Sequence, residues 1–430
     1  MKKILAASSA LTLALLTGPA FAAESNADLS NQIRVLQDQL RTMQQQLEAL
    51  KTANAATQDA VVKAAEQKET EDRTARQKVL EQGGKLVTQN GKTEAIPAPR
   101  KKEWWDDTVL SGRAYYDVTN INHKSNGVSQ SDNGTSFDIK RLYLGIDHKF
   151  DDMFSANITT DFLYDAGSGA TQIYLKKAYI QAKFSDYAIA RLGSADLPWV
   201  PFAEGIYGFR QVELEIADRT KYATSADWGA HLTGKFANGI VEYAIAAVDG
   251  AGYKHPFRSK SIDLEGRVSA TYEGMTAALG GYTGKLGKNV EGSAPTNHTA
   301  TRYNALLAYV GHGFHVGAEY FTASDWNNVT TPASEKSNGT SLFAAYEFMP
   351  QWSVLSRYDW VKPKRTTTPT LKDNYFNVGI NYAPAKIVDF TLMYKREKAV
   401  NGTISTANGT IGGSVDGTYD EFGLWGQFRF

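Results

Sequence analysis

The residues of this chain whose types and spacing could do chemistry are charged side chains that alternate with apolar ones. On the faces that this alternation groups together, basic candidates are Arg113, Arg141, Lys177 and Arg191. The segment 194–225 adds charges of both signs, namely Arg210, Arg219 and Lys221 with Asp196, Glu204, Glu213, Glu215 and Asp218. Opposite charges across a narrow, poorly screened gap create a strong field. We therefore predict that these residues select solutes electrostatically in a water-filled passage.

The sign of that selectivity is left open by the sequence. Cations and anions on the inferred inward faces are comparable in number, and one interpretation is that most of them are paired wall charges that keep the passage wet. The sharper interpretation is that a basic wall faces an acidic loop across the narrowest point. Such a transverse field would orient small solutes that carry charge.

Composition excludes several other chemistries. The chain has 46 basic and 46 acidic residues among 430, and it has no cysteine. Balanced charge argues against a nucleic-acid partner, and the absence of cysteine excludes a thiol nucleophile, a zinc–thiolate site and a disulfide scaffold. His231, beside Asp227 and Thr233, is the single candidate for a triad, but a lone histidine there is more often a wall residue. We predict no enzyme activity, cofactor or metal, with a barrel hydrolase kept as an alternative.

The elements that must position the charges are strands. From residue 108 onward, apolar residues alternate with polar ones in about sixteen runs, joined by connections that are tight and long in turn. In 136–150, Leu144 and Ile146 share one face while Arg141 and Tyr143 share the other. A barrel of sixteen strands is too wide for side chains to fill, so its interior is wet and its apolar face meets lipid. The prediction is an all-β, sixteen-stranded transmembrane antiparallel barrel over 107–430, with a constriction loop at about 194–225.

The first hundred residues lack the alternation of strands and show other sequence patterns. Residues 1–22 have the basic start, apolar stretch and small-residue cleavage site of a signal peptide. Residues 23–52 carry a narrow heptad seam, typical of a short α-helical coiled coil that joins copies of the chain; the seam is Leu29, Ile33, Leu36, Leu40, Met43, Leu47 and Leu50. Residues 53–106 lose the seam, are rich in Ala, Gln, Lys and Glu, and are predicted to be a frayed helix and a flexible linker. An envelope tether that binds peptidoglycan through the coiled coil is a second alternative function.

Two stretches resemble the phosphate-selective porin O and P family. The strand Phe137–Gly145 (FDIKRLYLG) is similar to a basic strand of that family, and Leu192-Gly193 before the insertion 194–225 is similar to its third-loop region. The resemblance implies a homotrimeric porin of the bacterial outer membrane, with its N-terminal tail in the periplasm, that passes small anions such as phosphate or small carboxylates. It adds Lys140 to the basic track of Arg141, Lys177 and Arg191. The acidic residues of the third loop depart from the family pattern and argue against strict phosphate specificity. The expected partners are outer-membrane lipid and small charged solutes.

Overall fold

The computed structural model describes residues 26–89, 92–96, 103–165 and 169–430. The chain divides into two units, Met1–Lys102 and Glu103–Phe430. The predicted signal peptide, 1–22, lies outside the described residues.

The first unit contains one long helix and one small hairpin. Helix α1 spans Asn26–Glu81, and an antiparallel pair of strands follows at Lys85–Gln89 and Lys92–Ile96. The helix therefore continues far into the stretch predicted as a frayed helix and a flexible linker, because Ala, Gln, Lys and Glu are all strong helix formers. Helices in the described ranges do not combine the length and apolar character that a membrane span requires.

The second unit is a closed barrel of sixteen antiparallel strands within the described residues, which confirms the predicted fold class. In chain order the barrel strands are β1 Thr108–Ser125, β2 Gly134–Lys149, β3 Phe154–Asp165, β4 Ala170–Ser185, β5 Ala188–Asp196, β6 Ala226–Phe236, β7 Val241–Val248, β8 Asp263–Tyr272, β9 Met275–Gly284, β10 Ala300–Gly311, β11 Phe314–Ser324, β12 Lys336–Met349, β13 Trp352–Lys362, β14 Lys372–Ala385, β15 Val388–Val400 and β16 Gly417–Arg429. A short strand, Val128–Ser129, also pairs with β1. The barrel closes where β16 pairs with β1, with Leu424 opposite Val118.

The two rims of the barrel differ in the length of their connections. At the rim that we call the turn rim, residues such as 186–187, 273–274 and 312–313 join strands directly. Glu273 and Gly274 have φ of 46° and 83°, the left-handed pair that a tight hairpin with matching twist requires. At the opposite loop rim, the connections include 197–225, 249–262 and 401–416.

The alternation places apolar side chains outside and charges inside. On β2, Leu144 and Ile146 are 42% and 45% exposed on the outer surface, as lipid contact requires. Ionisable residues such as Arg302, Glu265 and Glu319 are buried inside the barrel. The barrel interior around these residues is therefore filled by paired charges and by the connection 197–225, which folds into the barrel.

A β-bulge between β1 and β2 changes which basic residues face inward. Tyr115 lies opposite Arg141, but its neighbour Tyr116 lies opposite Ile139, so Lys140 is an extra residue in β2. A bulge of this kind leaves one residue out of the alternation. Both Lys140 and Arg141 consequently reach inward and form ion pairs with buried aspartates.

A second bulge has the same effect on β4. Thr159 lies opposite Lys177, whereas Thr160 lies opposite Leu175, so Lys176 is the extra residue. Lys176 and Lys177 both line the interior cavity described below. The two bulges thus place two adjacent pairs of basic residues on the same side of the lumen.

Candidate channel between the inserted loop and the barrel wall

The connection 197–225 folds into the barrel and contains two short helices, α2 Val200–Tyr207 and α3 Ile216–Arg219. Helix α2 is held against the inner wall by Trp199, which is fully buried and donates its Nε1–H to Glu319 at 2.7 Å. The ring lies against Gly280, where an added Cβ would come within 2.5 Å of it. Buried Phe343 packs edge to face on Tyr207 at the other end of the helix. The loop therefore covers the wall formed by β8 to β12.

The second half of the loop is held by buried charges. The guanidinium of Arg219, which is fully buried, donates to Asp359 and Asp373 at 3.0 Å each and also to Glu397. Lys395 donates its Nζ–H to the carbonyl oxygen of Val212 at 2.7 Å. Since a buried charge is tolerated only when it is paired, these contacts fix the loop on β13 to β15.

A cavity of about 810 Å³ remains between the loop and the opposite wall, formed by β1 to β4. Helix α2 ends at this cavity with Gly208, whose φ of 83° is the left-handed conformation that commonly ends a helix. The lining reaches the turn rim, because it includes Ile387 in a tight turn and Phe430 beside the end of β16. The space is thus the part of the lumen that the loop leaves open, and it is open towards the turn rim.

Basic side chains predominate in the cavity. Of the described residues that line it, three are acidic, Asp147, Asp196 and Glu204, and six are basic, Arg113, Lys176, Lys177, Arg210, Lys386 and Arg429. A positive excess in a confined aqueous space raises the local concentration of anions.

Several of these cations are neutralised locally and others are not. Lys177 forms an ion pair with Asp196 at 2.5 Å, and Arg210 forms one with Glu204 at 2.5 Å. Lys176 instead contacts the hydroxyl of Tyr143 at 3.5 Å and lies 4.6 Å from the centre of that ring. In the described ranges no carboxylate oxygen lies within ion-pair distance of Lys176, so this lysine lacks the direct ion pair that Lys177 and Arg210 make.

Five of the residues predicted from the sequence line this cavity: Arg113, Lys177, Arg210, Asp196 and Glu204. They meet because β1, β4, the end of β5 and helix α2 with the residues just after it converge on the same space.

Three other predicted basic residues lie on the inner wall but outside this lining. Lys140 pairs with Asp117 at 3.2 Å, and Arg141 pairs with Asp161 at 2.7 Å. Arg191 donates to Gln181 at 2.8 Å and lies over the ring of Tyr179.

Four further predicted residues belong to the attachment of the loop. Arg219 is the buried anchor, and Lys221 donates to the hydroxyl of Ser405 at 2.8 Å. Glu213 lies 3.7 Å from Lys395. Glu215 caps α3 by accepting backbone N–H groups from Ala217 at 2.6 Å and from Asp218 at 2.8 Å. These side chains hold the loop and do not line the cavity.

Sequence reasoning missed Lys176 and Lys386 as lining residues. A signal for Lys176 was present, since two adjacent lysines in a strand cannot both face inward under strict alternation and a lysine facing lipid is unfavourable. A bulge resolves that conflict.

The candidate triad is not assembled as a catalytic group. The Asp227 carboxylate accepts backbone N–H groups from Trp228 at 2.7 Å and from Gly250 at 3.0 Å, so it is used to fix the start of a loop. His231 is buried opposite Arg191 in the strand ladder. These contacts indicate wall residues.

At the loop rim, Glu335 ties two connections together. Its carboxylate accepts backbone N–H groups from Thr366 at 2.7 Å, from Thr367 at 3.1 Å and from Lys336 at 2.9 Å. Burial opposes ionisation, but these hydrogen bonds outweigh it and lower the pKa of Glu335 below its ordinary value. The ionised carboxylate is therefore the form that holds 363–371 against the end of 325–335.

Comparison with known proteins shows the class of fold. No family model and no curated protein matches the sequence. Among solved structures, the chain is similar to the anion-selective porin from Comamonas acidovorans, with a TM-score of 0.56 and 13% identity over 75% of this chain and 99% of that chain. It is also similar to OmpT, an outer membrane protein of Vibrio cholerae, in its trimer form, with a TM-score of 0.52 and 11% identity over 75% of this chain and 99% of that one. The barrel thus has the fold of bacterial outer-membrane porins, while membership of the phosphate-selective family stays a prediction.

Proposed function

We propose that the protein is a porin of the bacterial outer membrane through which small solutes diffuse passively, with anions favoured. The observation that carries the proposal is the cavity beside the inserted loop, where six basic side chains face three acidic ones. The similarity in fold to an anion-selective porin supports it. Small carboxylates and phosphate are the solutes that the charge of this lining suits.

The predicted resemblance to phosphate-selective porins bears on how strict the channel is. A site specific for phosphate needs several converging donors, which arginine offers better than lysine. Two of the most relevant arginines, Arg141 and Arg210, are already engaged by carboxylates at 2.7 Å and 2.5 Å. We therefore propose weak discrimination among small anions.

The test is the reversal potential of single channels in a planar bilayer under a KCl gradient. The unmodified protein should be anion-selective, and Lys176→Glu should lower its anion-to-cation permeability ratio. A unit charge about 5 Å from a permeating ion interacts with it by roughly 0.8 kcal/mol even at the dielectric constant of water. An energy of that size changes the permeability ratio by a factor of about four. Lys176→Glu changes the charge at its position by two units, so a fall of at least about fourfold is expected.

Lys221→Glu is the matched control. It makes the same change of charge, but Lys221 lies on the inserted loop, bonds Ser405 and does not line the cavity. It should leave the ratio within about twofold of the parent. A cation-selective parent, or an equal effect of the two substitutions, would contradict an anion path at Lys176. Absence of conductance would favour the alternative of an envelope tether.

We also propose that the porin is a homotrimer whose N-terminal helices form a periplasmic coiled coil. In the single chain the seam residues from Ile33 onward are exposed, with Ile33 50%, Leu36 61% and Leu40 55% accessible. A narrow apolar stripe on an otherwise polar helix is typical of one that packs against copies of itself. The structural neighbour OmpT has a trimer form. Chemical cross-linking in mild detergent tests the proposal, and a monomer as the sole species would contradict it.

A further inference from the structure

Tyrosine rings and cations alternate along one side of the lumen. Nearest the loop rim, Nζ of Lys254 lies 4.6 Å from the ring centre of Tyr174 and 5.8 Å from that of Tyr253. Nζ of Lys176 lies 6.0 Å from the ring centre of Tyr253 and 4.6 Å from that of Tyr143. These distances fall within the range of cation–π attraction, so the groups form a continuous series.

The series continues into the cavity. The ring of Tyr143 meets that of Tyr115 edge to face, with centres 6.0 Å apart. The guanidinium of Arg210 lies 5.8 Å from the centre of the Tyr115 ring, and Arg113 approaches the Tyr115 hydroxyl at 3.4 Å. We call the eight residues the tyrosine–cation ladder: Tyr174, Lys254, Tyr253, Lys176, Tyr143, Tyr115, Arg210 and Arg113.

The ladder combines fixed and accessible rings. Tyr115 and Tyr253 are buried, at 2% and 8% exposure, and Tyr253 is fixed by donating its O–H to Asp161 at 2.6 Å. Tyr143 and Tyr174 are half-buried and keep part of their surface towards water. Tyr143 also lines the cavity together with Lys176. A solute that passes along the ladder therefore meets an aromatic surface and a positive charge within a few ångströms of each other.

Different anions would use this surface to different extents. A halide or an acetate ion can use the cations alone. A flat aromatic ring that carries a carboxylate can place its charge at Lys176 or Arg113 and its ring against Tyr143, where offset or edge-to-face contact is favourable. A saturated ring of the same charge lacks the quadrupole on which that contact depends.

On the basis of the proposed porin function, we propose that the tyrosine–cation ladder makes the channel prefer aromatic carboxylates over saturated carboxylates of equal charge. The interaction of one aromatic pair corresponds to a preference of about two- to tenfold.

The test measures block of the chloride current of single channels by benzoate and by cyclohexanecarboxylate, added separately near neutral pH. The concentration of benzoate that halves the current should be about two- to tenfold lower than that of cyclohexanecarboxylate. Block by either solute requires that it enter the channel, so the Tyr143 variants are needed to separate contact with the ring from exclusion of the thicker saturated solute. Tyr143→Leu should abolish the difference, and Tyr143→Phe, which keeps the ring and removes the hydroxyl, should retain it.

The outcomes separate the two proposals. If a KCl gradient shows anion selectivity but both carboxylates block equally, the ladder proposal is overturned and the porin proposal stands. If the parent is cation-selective, the anion path itself is wrong. Because the comparison of the two solutes uses the unmodified protein, equal block overturns the ladder proposal even if a variant fails to assemble. A difference that survives Tyr143→Leu would also overturn the assignment of the preference to this ring.

Discussion

Replacing Arg219 with leucine should release the inserted loop from the wall that holds it. The substitution removes the buried guanidinium that bonds three carboxylates and leaves them without that partner. Asp359 keeps a hydrogen bond from Arg357 at 2.7 Å, and Glu397 keeps one from Asn408 at 2.8 Å. Asp373 loses most, because its second oxygen has no hydrogen-bond partner among the described residues.

The size of the effect follows from that distribution. Removing one partner of a buried ion pair costs about 3–5 kcal/mol. Since two of the three carboxylates keep other donors, we expect a total near that of one pair rather than three. Arg219→Leu should therefore lower the free energy of unfolding by about 3–5 kcal/mol. Asp373→Asn in the same chain should restore part of the lost free energy of unfolding. It removes the carboxylate charge that Arg219→Leu leaves without a partner beside Asp359 and Glu397.

Equilibrium unfolding by denaturant in lipid vesicles measures the loss, and a double-mutant cycle with Asp373→Asn measures the coupling. Single-channel conductance reports the loop itself, and it should rise or fluctuate in Arg219→Leu. Arg219→Lys is the control, since it keeps the charge but lacks the planar, five-donor fork with which arginine reaches all three carboxylates. It should give an intermediate effect. An unchanged free energy of unfolding together with an unchanged conductance in Arg219→Leu would refute the anchoring role.

Three further expectations concern the inserted loop, the proposed coiled coil and the loop rim. Deletion of 198–215 should raise single-channel conductance, because the resistance of a pore is concentrated at its narrowest section, and an unchanged value would place the loop outside the ion path. Leu36→Asp with Leu40→Asp should weaken cross-linking between copies while the barrel still resists denaturation; unaltered cross-linking would argue against the coiled coil. The pKa of Glu335 is lowered in the folded chain, so its stabilising contribution is complete above the ordinary carboxyl pKa and is lost as pH falls below about 4. The amide resonance of Thr367 should shift in that range in the parent, whereas Glu335→Gln should remove the transition.

The architecture of the barrel could be predicted because it depends on local patterns. Alternation along each run fixed which residues face lipid, and Leu144 and Ile146 on β2 lie where that pattern placed them. The long insertion after β5 was also visible, because a stretch as long as 197–225 without sustained alternation is neither a strand nor a tight turn. What alternation cannot supply is the register between neighbouring strands.

The bulges at Lys140 and Lys176 show why the candidate site was harder to predict. Each bulge depends on how two strands pair, and that pairing is a property of the closed barrel rather than of either strand. The roles of the loop charges depended on contacts distant in sequence. Arg219, predicted as part of an anion path, meets carboxylates on three later strands and is buried by them. Helix α1 exceeded its predicted length because a fading heptad seam marks the end of a packing surface and not the end of a helix.

The separation between the strands that hold the inserted loop and those that face the open cavity has a consequence for how such a protein can change. The residues that fix the loop lie on β8 to β15, among them Glu319 and Lys395. The residues that line the open cavity lie mainly on β1 to β4, among them Arg113 and Lys176. Substitutions in the second group need not disturb the first, since distant sites act nearly independently. Under the proposed function, selectivity can therefore change through single substitutions while the inserted loop keeps its shape. For the same reason, the β1–β4 wall is the place to begin when redesigning which solutes the barrel admits.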